Sequence, residues 1–397
     1  MKVLVINAGS SSMKYQLINV KDEHLLCKGL IERIGNENSM LTHKNFAGAE
    51  KSLQVPIENH KEAFDYLVKT LVDSEAGVIS NINEIGAVGH RIVHGGEKFS
   101  SSVIIDGDVL DEIKKCSTLA PLHNPPGVTA IEACMSILPE VKQVAVFDTA
   151  MHSTMPPEAY MYPLPYELYT KYKIRKYGFH GSSHKYVSAR AASLVGEDIK
   201  KLKIVSLHLG NGSSVTAVKG GKSIDTSMGF TPLAGVIMGT RCGDIDPAIV
   251  TFIMKNEGLS HSQVDELLNK QSGLLGISGV SNDMRDICKA AQDGNERARL
   301  ALEIAEYSIS KTVGAYAAAM NGIDVMVFTA GIGENDCEIR RNICKRLEFL
   351  GVFIDEEKNL QRGKEMFIST EGSKVKVLVV PTNEELMIAE ETYDLVK

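Results

Sequence analysis

Cysteine is scarce in this chain and carries no recognisable spacing. The seven cysteines are an odd number with no C-x-x-C pair, which argues against a disulfide framework or a cysteine-rich zinc site and for a reduced, cytosolic protein. Tryptophan is absent. No apolar run reaches membrane-spanning length, and the stretch before Asn7 is too short for the apolar core of a secretion signal. Low-complexity tracts and long runs of one charge are missing too. Nor is there an excess of positive charge: 43 Lys and Arg face 50 Asp and Glu, a net charge of −7, scattered along the chain, which argues against nucleic acid as the main partner. An anionic small molecule therefore needs a local cationic pocket. With 397 residues, 44% of them hydrophobic, the chain exceeds one ordinary core and suits two domains.

What is present is one device cast twice. Lys2-Val-Leu-Val-Ile-Asn7-Ala-Gly9-Ser10-Ser11-Ser12-Met-Lys14 and Lys203-Ile-Val-Ser-Leu-His208-Leu209-Gly210-Asn211-Gly212-Ser213-Ser214 each read as an apolar strand, a turn of Gly, Ser and Asn, and a second strand. Such a turn suits phosphate, because glycine lets the backbone come close, successive N–H groups face the anion, and small hydroxyls add donors. Two of them predict a duplicated nucleotide-binding fold that clamps a phosphate chain.

Along the chain, strands are expected over 2–7, 13–20 and 25–33, a loop or edge strand from Asn36 to Lys51, and an amphipathic helix from His60 to Val72. A strand over 84–89 leads into His90-Arg91-Ile-Val93-His94-Gly95-Gly96, and an apolar strand over 141–147 ends at Asp148. The Pro- and Tyr-rich segment from Met155 to Pro165 reads as the domain crossover. Helices are expected from His180, at 283–292, at 296–320 and at the C-terminus from Glu384, with a strand over 325–329 ending in a Gly331-Ile332-Gly333-Glu334-Asn335 loop before a helix to Phe349.

Gly220-Gly221-Lys222-Ser223 imitates a P-loop, but a Walker A motif needs glycine where Thr216 stands, so it reads as a hairpin tip. Arg91 and Arg241 each lie beside glycines; either is a solvated or ion-paired arginine, or a fork that meets phosphate or carboxylate at close range. His90 and His94, and His180 and His184, are four apart, yet glycines interrupt both segments and no H-E-x-x-H pattern occurs. His180 reads as a donor to a phosphoryl oxygen, His94 and His184 as structural. Asp148 and Glu384 follow apolar strands; each either caps a helix or holds magnesium.

Taken together, Asn7-Ala-Gly-Ser-Ser-Ser12, His90-Arg-Ile-Val-His-Gly-Gly96, Phe147-Asp-Thr-Ala-Met-His152, Tyr177-Gly-Phe-His-Gly181, His208-Leu-Gly-Asn-Gly212, Gly239-Thr-Arg-Cys-Gly-Asp-Ile-Asp246 and Thr329-Ala-Gly-Ile-Gly-Glu-Asn335 resemble the acetate kinase family over essentially the whole chain. The resemblance implies an α/β, duplicated RNase H-like fold of the actin type, shared with sugar kinases, Hsp70 and actin, whose two domains of mixed sheets flanked by helices meet at an active-site cleft. It implies a first domain of residues 1–150 plus 385–397 and a second of 151–384, the latter with the nucleotide site and a homodimer interface. It also implies that Asn7, Ser10, Ser12 and Lys14 face the transferring phosphoryl group and that Arg91, Arg241 and His180 hold acetate and phosphoryl oxygens. Magnesium, replaceable by manganese, falls to Asn7, Asp148 and Glu384. ATP or ADP falls to His208, Leu209, Gly210, Asn211 and Gly212 at its phosphates and to Asp283, Met284, Arg285, Gly331, Ile332, Gly333 and Asn335 at adenosine. Val93, Leu122, Phe179 and Pro232 form the implied methyl pocket.

The chemistry fits those residue types. A carboxylate acceptor is already ionised at neutral pH, so no general base is needed, and Asp148 is better cast as a metal or water organiser. Catalysis then consists of aligning two anions and neutralising their charge. The expected reaction is reversible, direct transfer between ATP and acetate. The rival readings are a propionate or butyrate kinase on the same scaffold and a non-kinase nucleotide-binding protein of the Hsp70 or actin type.

Overall fold

The computed structural model describes all residues from Met1 to Lys397 except Leu122, one of the residues expected in the methyl pocket. The chain divides into two compact units, Met1–Met151 with Asn383–Lys397, and His152–Thr382.

The first unit is built on strands β1 (Lys2–Gly9), β2 (Ser12–Asn19), β3 (His24–Glu32), β4 (Met40–Asn45), β5 (Glu50–Gln54), β6 (Ile85–Ile92), β7 (Val103–Ile104) and β8 (Lys142–Phe147), ordered β5-β4-β3-β2-β1-β6-β8-β7. From β1 to β5 the strands run antiparallel as a meander, whereas β1, β6 and β8 are parallel. Val3 to Ile6 are all buried, as a central strand covered on both faces requires. On one face Phe64, Leu67 and Leu71 of helix His60–Leu71 join Ala130, Ala133 and Cys134 of helix Asn124–Ile137 against Leu4, Ile6 and Leu17. The C-terminal helix Glu384–Val396 also packs on this sheet. Its approach is close enough that a Cβ on Gly89 would lie 2.4 Å from Thr392 Oγ1 and 2.7 Å from Ile388 Cγ2, so only glycine fits there.

The second unit repeats the plan with β9 (Lys203–Leu209), β10 (Ser213–Lys219), β11 (Lys222–Thr226), β12 (Val325–Thr329), β13 (Met366–Phe367) and β14 (Lys376–Val379), ordered β11-β10-β9-β12-β14-β13. Here β11-β10-β9 are antiparallel and β9, β12 and β14 parallel, the same sequence of directions as β3-β2-β1-β6-β8. This is the duplicated RNase H-like fold of actin-type ATPases. Helix Glu296–Met320 buries Ala298, Ala301, Ala305, Ile309, Val313, Tyr316, Ala317 and Met320 in this core, one stripe at helical spacing. In each unit the parallel strands end at one edge of the sheet, where α/β folds commonly place their sites.

The polar stretch from Asn36 to Lys51 contains β4 and the start of the edge strand β5, the second of the two alternatives expected there. Two local expectations change. Gly331 to Asn335 are not a loop but a helical turn, Ala330–Asn335; Asp336 then accepts from the N–H groups of Glu338 and Ile339 and starts a separate helix, Cys337–Lys345, which stops short of Phe349. The Pro- and Tyr-rich segment lies inside the second unit and carries two short helices, Pro157–Tyr160 and Tyr166–Tyr172. Arg175 stacks over Tyr160 at 3.6 Å, a cation–π contact that fixes this segment.

Of the buried histidines, His90, His94, His152 and His184 are displaced furthest from their ordinary pKa. Desolvation lowers His90, His94 and His152 to about 4 and carries His184 well below its ordinary value. Their folded values lie beneath the unfolded value near 6.5, so stability is whole above that pH and is lost as pH falls toward 4. By pH 5, His90 alone should cost about 2 kcal/mol. Denaturant midpoints measured from pH 7.5 to 5 should fall steadily, and a flat profile would rule the effect out.

Candidate active site

In the first unit the ends of three parallel strands and one helix bring a charged cluster together. Arg91, on β6, donates from Nε to Asp148 Oδ1 at 3.0 Å and from Nη2 to Asp148 Oδ2 at 2.6 Å. The same guanidinium reaches Asn7 Oδ1, on β1, at 3.4 Å, and Glu384 Oε2, at the first residue of the last helix, at 3.8 Å. Asp148 is 1% exposed and its N–H donates to Ile92 O at 3.0 Å, so the carboxylate leaves β8 in a set direction. Burial raises Glu384 to about 7, with Asp148 and Glu385 adding to the shift and Arg91 and Lys14 opposing it. One arginine thus serves two carboxylates and an amide oxygen. An all-oxygen set of this kind suits magnesium, which takes one or two carboxylates and completes its shell with water and phosphate oxygens, and a second cation here would favour ionised Glu384. Among the described residues no three His, Cys, Asp or Glu side chains form a closed metal cage.

Lys14 pairs across the hairpin with Asn7, and Gly9 with Ser12, leaving Ser10 and Ser11 as the turn. His60 Nε2 lies 2.7 Å from Gly9 O and ties this turn to the helix beneath it. A cavity of about 470 Å³ opens beside Asn7 and Lys14. Val93, just past β6, is half-buried in this unit.

In the second unit the turn is one residue longer: Leu209 pairs with Ser213 around Gly210, Asn211 and Gly212. His180 precedes helix Gly181–Val195 with φ +57°, a left-handed conformation that a non-glycine residue adopts at a cost. Its ring stacks on His208, with centroids 4.1 Å apart, and a Cβ on Gly212 would lie 3.7 Å from its Nε2 and 3.4 Å from Arg241 Nη1. His180 and Arg241 therefore converge over the Gly212 turn. Arg241 is half-buried, donates only to Pro232 O at 3.3 Å and weakly to Met238 Sδ at 3.8 Å, and has no ion pair with a carboxylate among the described residues. Desolvation lowers its pKa. A guanidinium kept from water without a countercharge is a receptor for an anion.

Asn211 is held from behind, its carbonyl accepting from Gly239 N–H at 3.0 Å. A Cβ at Gly239 would sit 1.8 Å from Asn211 Oδ1, so any larger residue would displace the Asn211 side chain. Leu209, Gly210, Met284 and Ile332 meet around a small apolar cavity. Gly331, Ile332, Gly333 and Asn335 lie on the helical turn after β12, whose first residue, Ala330, has φ +64°. Thr329 pairs with His208 in the parallel ladder, which sets this turn beside the Gly210 turn. Asp283 caps helix Met284–Gln292 and pairs with exposed Arg285 at 2.6 Å; the hydrogen bond from Arg285 holds Asp283 down at about 2. Phe179 is buried and its carbonyl lies 3.0 Å from His152 Nε2, while Pro232 is half-buried.

The expected residues among those described thus gather in two sets, one on each unit. Sequence reasoning missed Ser206 and Ser214, which hydrogen-bond to His184 and His180. Their one visible signal was the serine beside the Gly210-Asn211-Gly212 turn.

A duplicated actin-type fold with a Gly- and Ser-bearing turn in each unit, and an arginine with no carboxylate partner among the described residues, suits an ATP-dependent phosphotransferase. The model of the Acetokinase family matches residues 2–390. The acetate kinase of Caldanaerobacter subterraneus subsp. tengcongensis is 59% identical over 398 residues, covering 100% of this chain and 99% of the relative; that of Methanosarcina mazei is 59% identical over 395 residues, covering 100% and 97%. Among solved structures, Porphyromonas gingivalis acetate kinase superposes with a TM-score of 0.97 at 48% identity, covering 100% of both chains. A propionate kinase from Francisella tularensis gives 0.91 at 47%, covering 99% of each. The chain belongs to the acetokinase family, and its activity is that of an ATP:acetate phosphotransferase.

Proposed function

We infer that the chain catalyses reversible, magnesium-dependent, in-line transfer of the γ-phosphoryl group of ATP directly to acetate, giving acetyl phosphate and ADP. The observation that carries this reading is Arg241, a half-buried guanidinium with no carboxylate partner among the described residues, which converges with His180 on the Gly212 turn. In the first unit Arg91 orients acetate and phosphoryl oxygens while Asp148, Glu384 and Asn7 provide the oxygen ligands for magnesium. Ser10, Ser12 and Lys14 face the phosphoryl group. In the second unit the stretch from His208 to Gly212 takes the ATP phosphates, and Asp283, Met284, Arg285, Gly331, Ile332, Gly333 and Asn335 surround adenosine. Bound magnesium neutralises phosphate charge, and manganese, which also takes carboxylate and water ligands, replaces it. Since acetate needs no deprotonation, these groups work by positioning and charge neutralisation.

The protein acts in the cytoplasm as a homodimer joined through the second unit, without nucleic acid or membrane partners. Exposed Ile249 and Phe252 on helix Ala248–Glu257 support that surface, and no helix among the described residues is long and apolar enough to cross a membrane. Hydroxylamine trapping of acyl phosphate with ATP, magnesium and acetate, propionate or butyrate in parallel tests the reaction. Acetate should give the most product; no product with any acid would remove the proposal.

In this reading Val93, in the first unit, limits the length of the acyl group. Val93→Ala should then improve kcat/KM for propionate relative to acetate by about 1 to 3 kcal/mol at most. An unaltered acid preference would take Val93 out of the pocket.

A further inference from the structure

Behind His180 lies a buried chain of hydroxyl and imidazole groups. Ser206 Oγ is 2.8 Å from His184 Nδ1, His184 Nε2 is 2.7 Å from Ser214 Oγ, and Ser214 Oγ is 2.8 Å from His180 Nδ1. Ser206, Ser214 and His184 are all 0% exposed. Among the described residues Ser206 and Ser214 make no other side-chain hydrogen bond. We propose that Ser206, His184 and Ser214 act together as a positioning relay that fixes the hydrogen of His180 on Nε2, so that His180 offers a donor to a phosphoryl oxygen while it is neutral.

Hydrogen counting gives the direction. A buried donor left unpaired costs about 1 to 3 kcal/mol, and the hydroxyl hydrogen of Ser206 has one acceptor within reach, His184 Nδ1. His184 Nδ1 is therefore bare. Desolvation keeps His184 neutral, so its single ring hydrogen is on Nε2 and is donated to Ser214. Ser214 then turns its own hydrogen to His180 Nδ1, and the ring hydrogen of neutral His180 falls on Nε2. The opposite polarity would leave the hydroxyl hydrogen of Ser206 buried without an acceptor. Nε2 and the adjoining Cε1 form the ring edge that faces the Gly212 turn, both 3.7 Å from where a Cβ would lie, with Arg241 Nη1 on the same space. The other titratable groups beside this chain are His208, stacked on His180, and His152, edge-on to His184 at 5.9 Å. His152 is itself held near 4 by burial, so it adds no charge to the relay at neutral pH.

The direction of the relay does not depend on the phosphotransfer reading; only the use made of the Nε2 hydrogen does. Ring nitrogen NMR on the unmodified, histidine-labelled protein at pH 7.5 tests it without a variant: His184 and neutral His180 should both show a protonated Nε2 and a bare Nδ1. A protonated Nδ1 on neutral His184 or His180 would overturn the relay. With Ser214→Ala, His180 should lose its single tautomer and kcat should fall about tenfold, with KM for ATP and acetate changed less than about twofold. If that variant folds and keeps both the His180 signature and kcat, the proposal fails. If it does not fold, the unmodified protein decides alone.

Discussion

Arg241→Ala should lose about 10² to 10³ in kcat while its unfolding midpoint stays at or slightly above that of the parent. Removing one preorganised donor to transition-state charge costs about this much. Stability should not follow, because among the described residues Arg241 has only a backbone carbonyl and a thioether sulfur as hydrogen-bond partners, and withdrawing an uncompensated cation from a half-buried place removes a desolvation penalty. Arg241→Lys should recover part of the loss, since it restores the charge but not the two-pronged fork. Steady-state kinetics paired with thermal unfolding separates the two effects. Near-parental turnover in the alanine variant would end the anion-clamp role, and a large drop in stability would mean that the arginine holds the turn rather than the substrate.

Asp148→Asn should behave differently, with turnover and stability falling together. Asp148 accepts two hydrogen bonds from Arg91 while almost fully buried, and removing one partner of a buried pair costs about 3 to 5 kcal/mol. The amide keeps the shape, so the lower end, about 3 kcal/mol, is expected without metal. In the assay kcat should fall about 10³-fold and the magnesium concentration for half-maximal rate should rise, because one oxygen ligand has lost its charge. Glu384 gives the companion pH effect. With its value near 7, protons compete with the cation, and magnesium affinity should weaken as pH falls through 7. Unchanged rate and metal dependence in Asp148→Asn would sink the assignment of the metal to this carboxylate.

Much of the molecule was legible before folding. Helix Glu296–Met320 and strand β12 occupy the residues that periodicity marks, because a long stripe with a 3.6-residue repeat and an all-apolar strand have few other uses. Both strand-turn-strand devices were visible because the glycines, serines and asparagine of their turns are consecutive. Polar alternation left an edge hairpin open between loop and strand, and the local error falls where glycines concealed a helical turn before Asp336.

Sequence by itself determined the repeated device, the elements that carry it and the residue types suited to moving a phosphoryl group between anions. Those properties are local: hydrophobic period, turn chemistry and the donors each side chain owns. Tertiary structure alone decided that Arg91 is shared by Asp148, Asn7 and Glu384, residues from two strand ends and the last helix, and that Arg241 has no countercharge among the described residues. It also decided the direction of the hydrogens from Ser206 to His180. Each depends on distances set by parallel-strand register and on water excluded by packing, and neither quantity is carried by any short stretch of chain.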